Sequence, residues 1–294
     1  MVSRDRAGKG PEHWARLDLR LAIPVSRRYT GRNRHEETAM TRMHVGVQMQ
    51  PQHCSWPEYI EAVRRVEAMG VDSIWNWDHF FPLTGDPEGE HYEGWTALSA
   101  IAASTSRAGV GCFVTCNSYR NPALLAQMAK TVDHISNGRL LFAIGAGWFQ
   151  RDYDEFGYEF GTAGSRLRQL EADLPVFRAR LQAEVPPPIQ DPLPVMIGGG
   201  GEKVTLRIVA EQADLWNTFG PPDSWIHKNR VLDDWCARVG RDPADIIRTV
   251  GVGEQDLTAN LDEYAAAGAT WFIFSRTVPW DYAPLERLIR WRDG

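Results

Sequence analysis

The feature that most constrains this chain is a repeated alternation of two hydrophobic patterns. From Met43 onward, short runs rich in β-branched and aromatic residues are followed by polar or glycine-rich stretches and then by apolar residues at helical spacing. In the first unit, Ser55 and Pro57 predict the start of a helix, and Gly70 predicts its end. Such alternation is typical of units in which parallel strands are joined by helices.

The predicted elements favour a closed barrel over an open sheet. Strands are predicted at residues 45–49, 71–75, 110–116, 140–144, 195–197, 213–217, 246–252 and 271–275. Helices are predicted near 95–106, 123–135, 203–211, 224–239 and 257–267, with another from Ser165 that Pro175 should kink or split. The glycine segments at 145–150 and 198–203 both lack the last glycine of the dinucleotide fingerprint of open sheets. We therefore expect an α/β protein with a (β/α)8 TIM barrel, of about 250 residues.

The N-terminal segment differs in composition from the rest of the chain. Residues 1–39 contain nine Lys and Arg against five Asp and Glu, without sustained helical or strand periodicity. We expect residues 1–42 to be a disordered or mis-assigned extension and residues 43–294 to form the barrel domain.

Composition narrows the class of partner. The 294 residues are 43% hydrophobic and carry a net charge of -6, which favours a small-molecule substrate over a nucleic acid. No apolar run approaches the ~18 residues that span a bilayer, so no membrane partner is expected. The four cysteines make no disulfide framework, which suggests a cytoplasmic protein. Cys112 and Cys116 would lie roughly 13 Å apart along a strand, and no metal site is predicted.

Asp78 and His79 are the leading catalytic candidates. They follow the second predicted strand, and the C-terminal strand ends carry the active site in barrels of this kind. An ionised Asp78 could orient His79, whose side chain titrates near neutral pH. The alternative is that Asp78 caps a loop and His79 packs among aromatic residues. The same dipeptide at Asp133 and His134 ends a helix, so we assign that pair a structural role at the opposite mouth.

Three further segments at strand ends are candidates for binding a cofactor. A glycine turn before a helix can cradle a phosphate, and small residues after a strand allow a planar ring to approach the backbone. Small polar side chains can bond the edge of such a ring. The alternatives are a flexible turn, simple packing and loop hydrogen bonds. The phosphate candidates are Gly198, Gly199 and Gly200, the ring candidates are Gly145, Ala146 and Gly147, and the edge candidates are Thr115, Cys116 and Asn117.

Several short motifs occur in a fixed order along the chain: VGVQ at 45–48, DHF at 78–80, YRNPA at 119–123, DHISNGR at 133–139, GAGWF at 145–149, PVMIGG at 194–199 and ADLWN at 213–217. In this order they resemble the motifs of the luciferase-like flavin and deazaflavin oxidoreductases, and more closely those of the branch that uses coenzyme F420. The resemblance implies a barrel that binds the deazaflavin at its C-terminal mouth, with Asp78 and His79 beside the reactive ring. It also implies a bulge with a strained peptide near Thr115 and Cys116.

The resemblance leaves two other functions open. One is a monooxygenase that uses reduced flavin mononucleotide (FMN) and oxygen, for which a flavin reductase would be a partner. The other is a barrel that binds a flavin without turnover. The favoured hypothesis is hydride transfer between coenzyme F420 and a small organic substrate, by an enzyme that could form a homodimer.

Overall fold

The computed structural model describes residues 42–294, and its core is a barrel of parallel strands. The nine strands are β1 His44–Met49, β2 Ser73–Asn76, β3 Gly109–Cys112, β4 Thr115–Cys116, β5 Phe142–Gly145, β6 Val195–Gly198, β7 Leu215–Thr218, β8 Ile247–Val252 and β9 Trp271–Arg276. They are arranged in the order β3-β2-β1-β9-β8-β7-β6-β5-β4. The predicted (β/α)8 architecture is confirmed. The predicted extension at 1–42 falls, except for Arg42, outside the described residues.

The ninth strand arises because the third predicted strand is divided in two. β3 pairs with β2 and β4 pairs with β5, so the two halves form the ends of the sheet. The Phe113–Val114 peptide bond between them is cis. The break therefore lies just before Thr115, slightly earlier in the chain than the predicted bulge. The amide of Leu141 donates to the Val110 carbonyl at 2.8 Å, which joins β3 to the segment entering β5 and closes the barrel.

Two tryptophans fill much of the barrel interior. Trp75 and Trp271 both donate their indole N–H to the Ser73 hydroxyl, at 2.8 and 3.0 Å. A Cβ at Gly46 or Gly111 would stand less than 3 Å from the Trp75 side chain, so glycine is required at both positions. The Trp75 side chain on β2 thus fits only because β1 and β3 carry glycine at the positions beside it, as expected for close packing inside a small barrel.

The helices connect the strands around the outside. They are α1 Trp56–Ala68, α2 Gly94–Ser104, α3 Pro122–Ile135, α4 Gln150–Phe156, α5 Ala163–Gln182, α6 Thr205–Gln212, α7 Pro222–Val239, α8 Asp256–Ala259, α9 Leu261–Ala266 and α10 Ala283–Asp293. Pro175, predicted to kink or split this helix, lies inside a continuous α5, so the helix is not split there. The helix predicted at 257–267 is instead two short helices, and α4 and α10 were not predicted. No helix within 42–294 is long and apolar enough to cross a bilayer.

Candidate active site at the C-terminal mouth

His79 lies at the mouth of the barrel and is held by a buried carboxylate. It follows β2, and its Nδ1 lies 2.7 Å from Oδ2 of Asp152 in the first turn of α4. Asp152 is fully buried and also accepts hydrogen bonds from the Phe80 amide at 3.1 Å and the Tyr119 hydroxyl at 2.8 Å. Because an ionised carboxylate only accepts, Nδ1 of His79 carries the proton and Nε2 is left for other chemistry.

Asp78 is not the residue that orients His79, so that part of the prediction is wrong. Both oxygens of Asp78 accept from the Arg120 guanidinium, at 2.6 and 2.9 Å, and one also accepts from the Cys116 amide at 2.9 Å. Arg120 additionally pairs with Glu93. Burial alone would lower the pKa of Arg120, but these two carboxylates raise it above its ordinary value. Asp78 thus links β2, β4 and the start of α3.

Aromatic rings surround the His79 imidazole. Trp77, Trp148 and Phe149 each meet it edge to face, with ring centroids 5.6 to 5.8 Å away. Trp77 in turn donates its indole N–H to Nε2 of His91 at 2.8 Å. Burial, with the nearby His79, lowers the pKa of His91 to about 4, so this second imidazole stays neutral and accepts the bond.

The predicted ring-approach segment occupies a crowded part of the mouth. A Cβ at Gly145 or at Gly198 would lie 2.9 Å from the Val114 side chain, so the two glycines leave room for that valine between β5 and β6. Gly147 has a positive φ of 79°, and a Cβ there would overlap the Tyr153 hydroxyl. Ala146 and Gly147 are partly exposed, whereas Gly145 is buried. These positions require small residues even before any ligand is considered.

The predicted phosphate turn leads from β6 toward α6 and has a cation beside it. Gly199 has φ 133°, a conformation that favours glycine. The Lys228 ammonium on α7 donates to the Gly200 carbonyl at 3.1 Å. Gly198, Gly199 and Gly200 are all partly exposed. The turn therefore combines exposed backbone, the Lys228 ammonium, which also lies 3.6 Å from the Glu202 carboxylate, and a following helix N-terminus. Backbone N–H groups and a cation at a helix N-terminus are elements that bind a phosphate.

The predicted ring-edge residues are buried in the protein. Thr115, Cys116 and Asn117 are at most 5% exposed. The Asn117 amide donates to Asp173 on α5 at 2.8 Å. The Cys116 thiol lies 3.2 Å from the Tyr153 hydroxyl, and burial raises its pKa to about 11, so it stays protonated at neutral pH. Thr115 Oγ1 is buried and has no hydrogen-bond partner among residues 42–294. Their role at a cofactor stays a prediction.

The second Asp-His pair lies at the opposite end of the barrel. Asp133 is fully buried and accepts two hydrogen bonds from Gln190, at 2.9 and 2.8 Å. His134 is exposed at the end of α3 and lies 2.8 Å from the Pro187 carbonyl. The structural role predicted for this pair agrees with these contacts. Among residues 42–294, no group of three or more His, Cys, Asp and Glu side chains is arranged to hold a metal ion.

Four residues of the candidate site were not predicted from the sequence: Asp152, Tyr119, Arg120 and Lys228. Asp152 lies in a short polar helix that was not predicted, and nothing local distinguishes it from a surface acid. Arg120 had a usable signal, because it stands directly before Asn121 and Pro122, which cap and begin α3. A helix that follows a strand in a barrel begins at the C-terminal mouth, so Arg120 could have been placed there.

The sequence of this barrel matches a known protein family. A sequence model of the family described as luciferase-like monooxygenase matches residues 38–273, most of the chain. The chain belongs to the luciferase-like monooxygenase family. It is therefore an enzyme of the family to which F420-dependent oxidoreductases and flavin monooxygenases belong.

F420-dependent enzymes are among the sequence relatives of this luciferase-like protein and among the solved structures that its fold resembles. An uncharacterized protein of Mycobacterium bovis is 29% identical over 66% of this chain and 74% of its own length. An F420-dependent glucose-6-phosphate dehydrogenase of Amycolatopsis mediterranei is 29% identical over 50% of this chain and 49% of its own. The fold matches an F420-dependent secondary alcohol dehydrogenase with TM-score 0.72 at 17% identity, covering 83% of this chain and 96% of that one. It also matches monooxygenase RslO1 of Streptomyces bottropensis, with TM-score 0.64 at 15% identity, over 84% and 97% of the two chains.

Proposed function

We propose that this protein transfers a hydride between coenzyme F420 and a small organic substrate. The observation that carries the proposal is the His79 imidazole at the barrel mouth, with Nδ1 bound by the buried Asp152 and Nε2 available. A reaction that interconverts an alcohol and a carbonyl needs a proton acceptor or donor beside the hydride acceptor. The F420-dependent relative and the F420-dependent structural neighbour support this cofactor.

The residues at the mouth fit a phosphate-bearing deazaflavin. A side chain at Gly200 would come within 3 Å of the Thr218 hydroxyl and of Lys228, so only glycine leaves the turn open. Lys228 would neutralise the phosphate, and the turn before α6 would offer backbone N–H groups. Ala146 and Gly147 would allow a planar ring to lie against the backbone. When bound, F420 supplies two electrons as a hydride and does not activate oxygen readily.

The residues of the chain then have distinct roles. His79 would exchange a proton at Nε2 with the oxygen of the substrate. Asp152 would hold the imidazole in one tautomer and stabilise its charged form, while Tyr119, held by burial in its protonated form, donates to the same carboxylate. Asp78 would act indirectly, by holding Arg120 and the Cys116 amide in place.

An FMN-dependent monooxygenase is the second candidate, because an FMN complex of a Baeyer-Villiger monooxygenase matches the fold with TM-score 0.59. Fluorescence titration of the full chain with F420 and with FMN tests the choice of cofactor, and we expect tighter binding of F420. Secondary alcohols with F420, and ketones with its reduced form, then test for hydride transfer. Preference for FMN, with oxygen consumption when reduced FMN is supplied, would replace this proposal with the monooxygenase. In that case a flavin reductase would be a partner.

Binding of F420 without turnover of any alcohol or ketone would instead favour a non-catalytic flavin-binding barrel. A homodimer and a cytoplasmic location stay proposals. Light scattering of the purified chain tests the first, and cell fractionation tests the second.

A further inference from the structure

We propose that Trp148 forms one wall of the substrate site, and that the substrate is an apolar or aromatic alcohol or carbonyl compound. This inference rests on the proposed function and adds the class of substrate. An exposed aromatic side chain lies beside the candidate proton-transfer residue. Trp148 is 63% exposed, although a tryptophan normally buries most of its large apolar surface.

The chain holds Trp148 at the mouth. The preceding Gly147 has a positive φ, and a Cβ there would overlap the Tyr153 hydroxyl, so the turn is fixed by close packing. The following Phe149 is the N-cap of α4 and packs on Trp148 with ring centroids 5.4 Å apart. Three residues further on, Asp152 binds His79. One short segment thus places the exposed indole and also orients the imidazole.

The surface around His79 is mainly aromatic, and much of its polar capacity is already used. The Trp148 ring lies 5.8 Å from the imidazole and meets it edge to face, as Trp77 and Phe149 also do. The Trp77 indole N–H is bound by His91, and Nδ1 of His79 is bound by Asp152. Nε2 of His79 is therefore a polar atom in an apolar setting, which suits a substrate with one oxygen on an apolar body.

The arginines near these loops are already engaged by the protein. Arg120 pairs with Asp78 and Glu93. Arg151 pairs with Glu88 and Glu155, and its guanidinium also stacks 3.9 Å from the centre of the Phe81 ring.

A third arginine, Arg166, donates to the carbonyls of Gly147 and Phe160, at 3.1 and 2.8 Å. Because all three guanidinium groups have partners within the protein, we expect weak recognition of a phosphorylated sugar beside His79.

The reaction that this site would support balances without a further reactant. In reduction, the carbonyl carbon would accept the hydride that reduced F420 supplies, and the C–H bond of the cofactor would break as the new C–H bond forms. The carbonyl oxygen takes a proton through Nε2 of His79 and becomes a hydroxyl. The substrate is reduced by two electrons, the cofactor is oxidised, and solvent returns the proton to His79.

Two measurements on the full chain test the proposal. Isothermal titration with cinnamyl alcohol, without cofactor, compares the wild type with Trp148→Ala, Trp148→Phe and Phe156→Ala. Phe156 is the matched control, since it is 54% exposed at the end of α4, the helix that follows Trp148, but stacks on Phe80 with centroids 4.1 Å apart. Turnover with reduced F420 then compares cinnamaldehyde with glyoxylate, and oxidised F420 is tested with glucose 6-phosphate.

We expect Trp148→Ala to weaken the binding of cinnamyl alcohol about tenfold or more and to raise KM for cinnamaldehyde by the same factor. The reason is that an aromatic contact, together with the apolar area it buries, contributes on the order of 1.4 kcal/mol or more. Trp148→Phe and Phe156→Ala should stay within about threefold of the wild type on the same scale. Equal binding by wild type and Trp148→Ala, or faster turnover of glucose 6-phosphate than of cinnamaldehyde, would overturn the inference. If the wild type does not bind F420, the proposed cofactor is wrong. The titration with cinnamyl alcohol would still test the role of Trp148, because it is done without cofactor.

Discussion

The Nδ1 atom of His79 lies 2.7 Å from Oδ2 of Asp152, although 73 residues separate them in the chain. The contact joins the loop after β2 to the first turn of α4. Because Asp152 is fully buried and accepts from Tyr119 as well, its position is fixed by the fold and not by solvent. His79 is therefore presented to the barrel mouth in one orientation.

Replacing Asp152 by Asn should lower turnover by about 10- to 10²-fold, part of the ~10²–10⁴ that acid-base catalysis supplies. The amide is neutral and can present an N–H to Nδ1, which favours the wrong tautomer. Asp152→Glu should recover part of the loss, and the pH profile of kcat should move in the Asn variant. A variant with normal kcat and an unchanged profile would show that the contact is only structural.

His79→Ala should reduce turnover by about 10²–10⁴-fold while changing the affinity for the cofactor far less. The reason is that the imidazole exchanges the proton of the substrate and is not expected to hold the cofactor. His134→Ala is the control, since the imidazole of this exposed histidine lies 2.8 Å from the Pro187 carbonyl, at the opposite end of the barrel. Paired measurements of kcat and cofactor Kd decide the matter. Full turnover by the His79 variant would show that His79 is not catalytic and only packs among the aromatic residues.

Asp78→Asn should act mainly on stability. It removes one charge of the pair that Asp78, fully buried, makes with Arg120, whose side chain is 9% exposed. Removing one partner of a buried ion pair costs about 3–5 kcal/mol, and Glu93 should offset part of that here. Chemical denaturation measures the change. If the variant unfolds like the wild type but loses turnover, Asp78 is catalytic, as the sequence analysis predicted.

A bulky residue at Gly199 should weaken cofactor binding while leaving the barrel folded. The position needs a φ of 133°, and a side chain there would meet Thr205 at 3.1 Å, at the start of α6. Gly240→Ala is the matched control, because Gly240 also has a positive φ, of 72°, yet a Cβ there has nothing within 4 Å. Both variants should lose a little thermal stability. Only the Gly199 variant should show a higher Kd in fluorescence titration, and equal Kd values would contradict a phosphate site at this turn.

His91 should make the protein less stable in mild acid. Burial lowers its pKa from 6.5 to about 4, so between these values the unfolded chain binds a proton that the folded chain does not. The free energy of unfolding should therefore fall with decreasing pH, by up to about 1.4 kcal/mol per pH unit from this group. Denaturation at pH values across this range should show a shallower slope for His91→Gln, whose amide oxygen can still accept from Trp77.

The sequence predicted the barrel well because its signals are local. The strands from β5 to β9 begin and end within about two residues of their predicted positions, since each is a short apolar run bounded by turn residues. The division of the third strand was not predicted. The run at 110–116 carries no turn residue at 113–114 that would mark a break, and only its pairing with different neighbours, β2 on one side and β5 on the other, separates β3 from β4.

The candidate site shows where local signals end. Adjacency in the sequence predicted that Asp78 would orient His79, but consecutive side chains leaving an extended strand point in opposite directions. Asp78 therefore turns toward Arg120, and His79 turns toward α4.

What the sequence determined by itself was the order of strands and helices, the glycines that allow close approach at the mouth, and the presence of His79 at a strand end. What only the tertiary structure decided was which carboxylate contacts which partner: Asp152 contacts His79, and Asp78 contacts Arg120. Asp152 reaches His79 because barrel closure brings α4 beside the loop after β2, and it is buried there together with Tyr119. Contacts of this kind depend on distances through space, and no spacing along the chain encodes them.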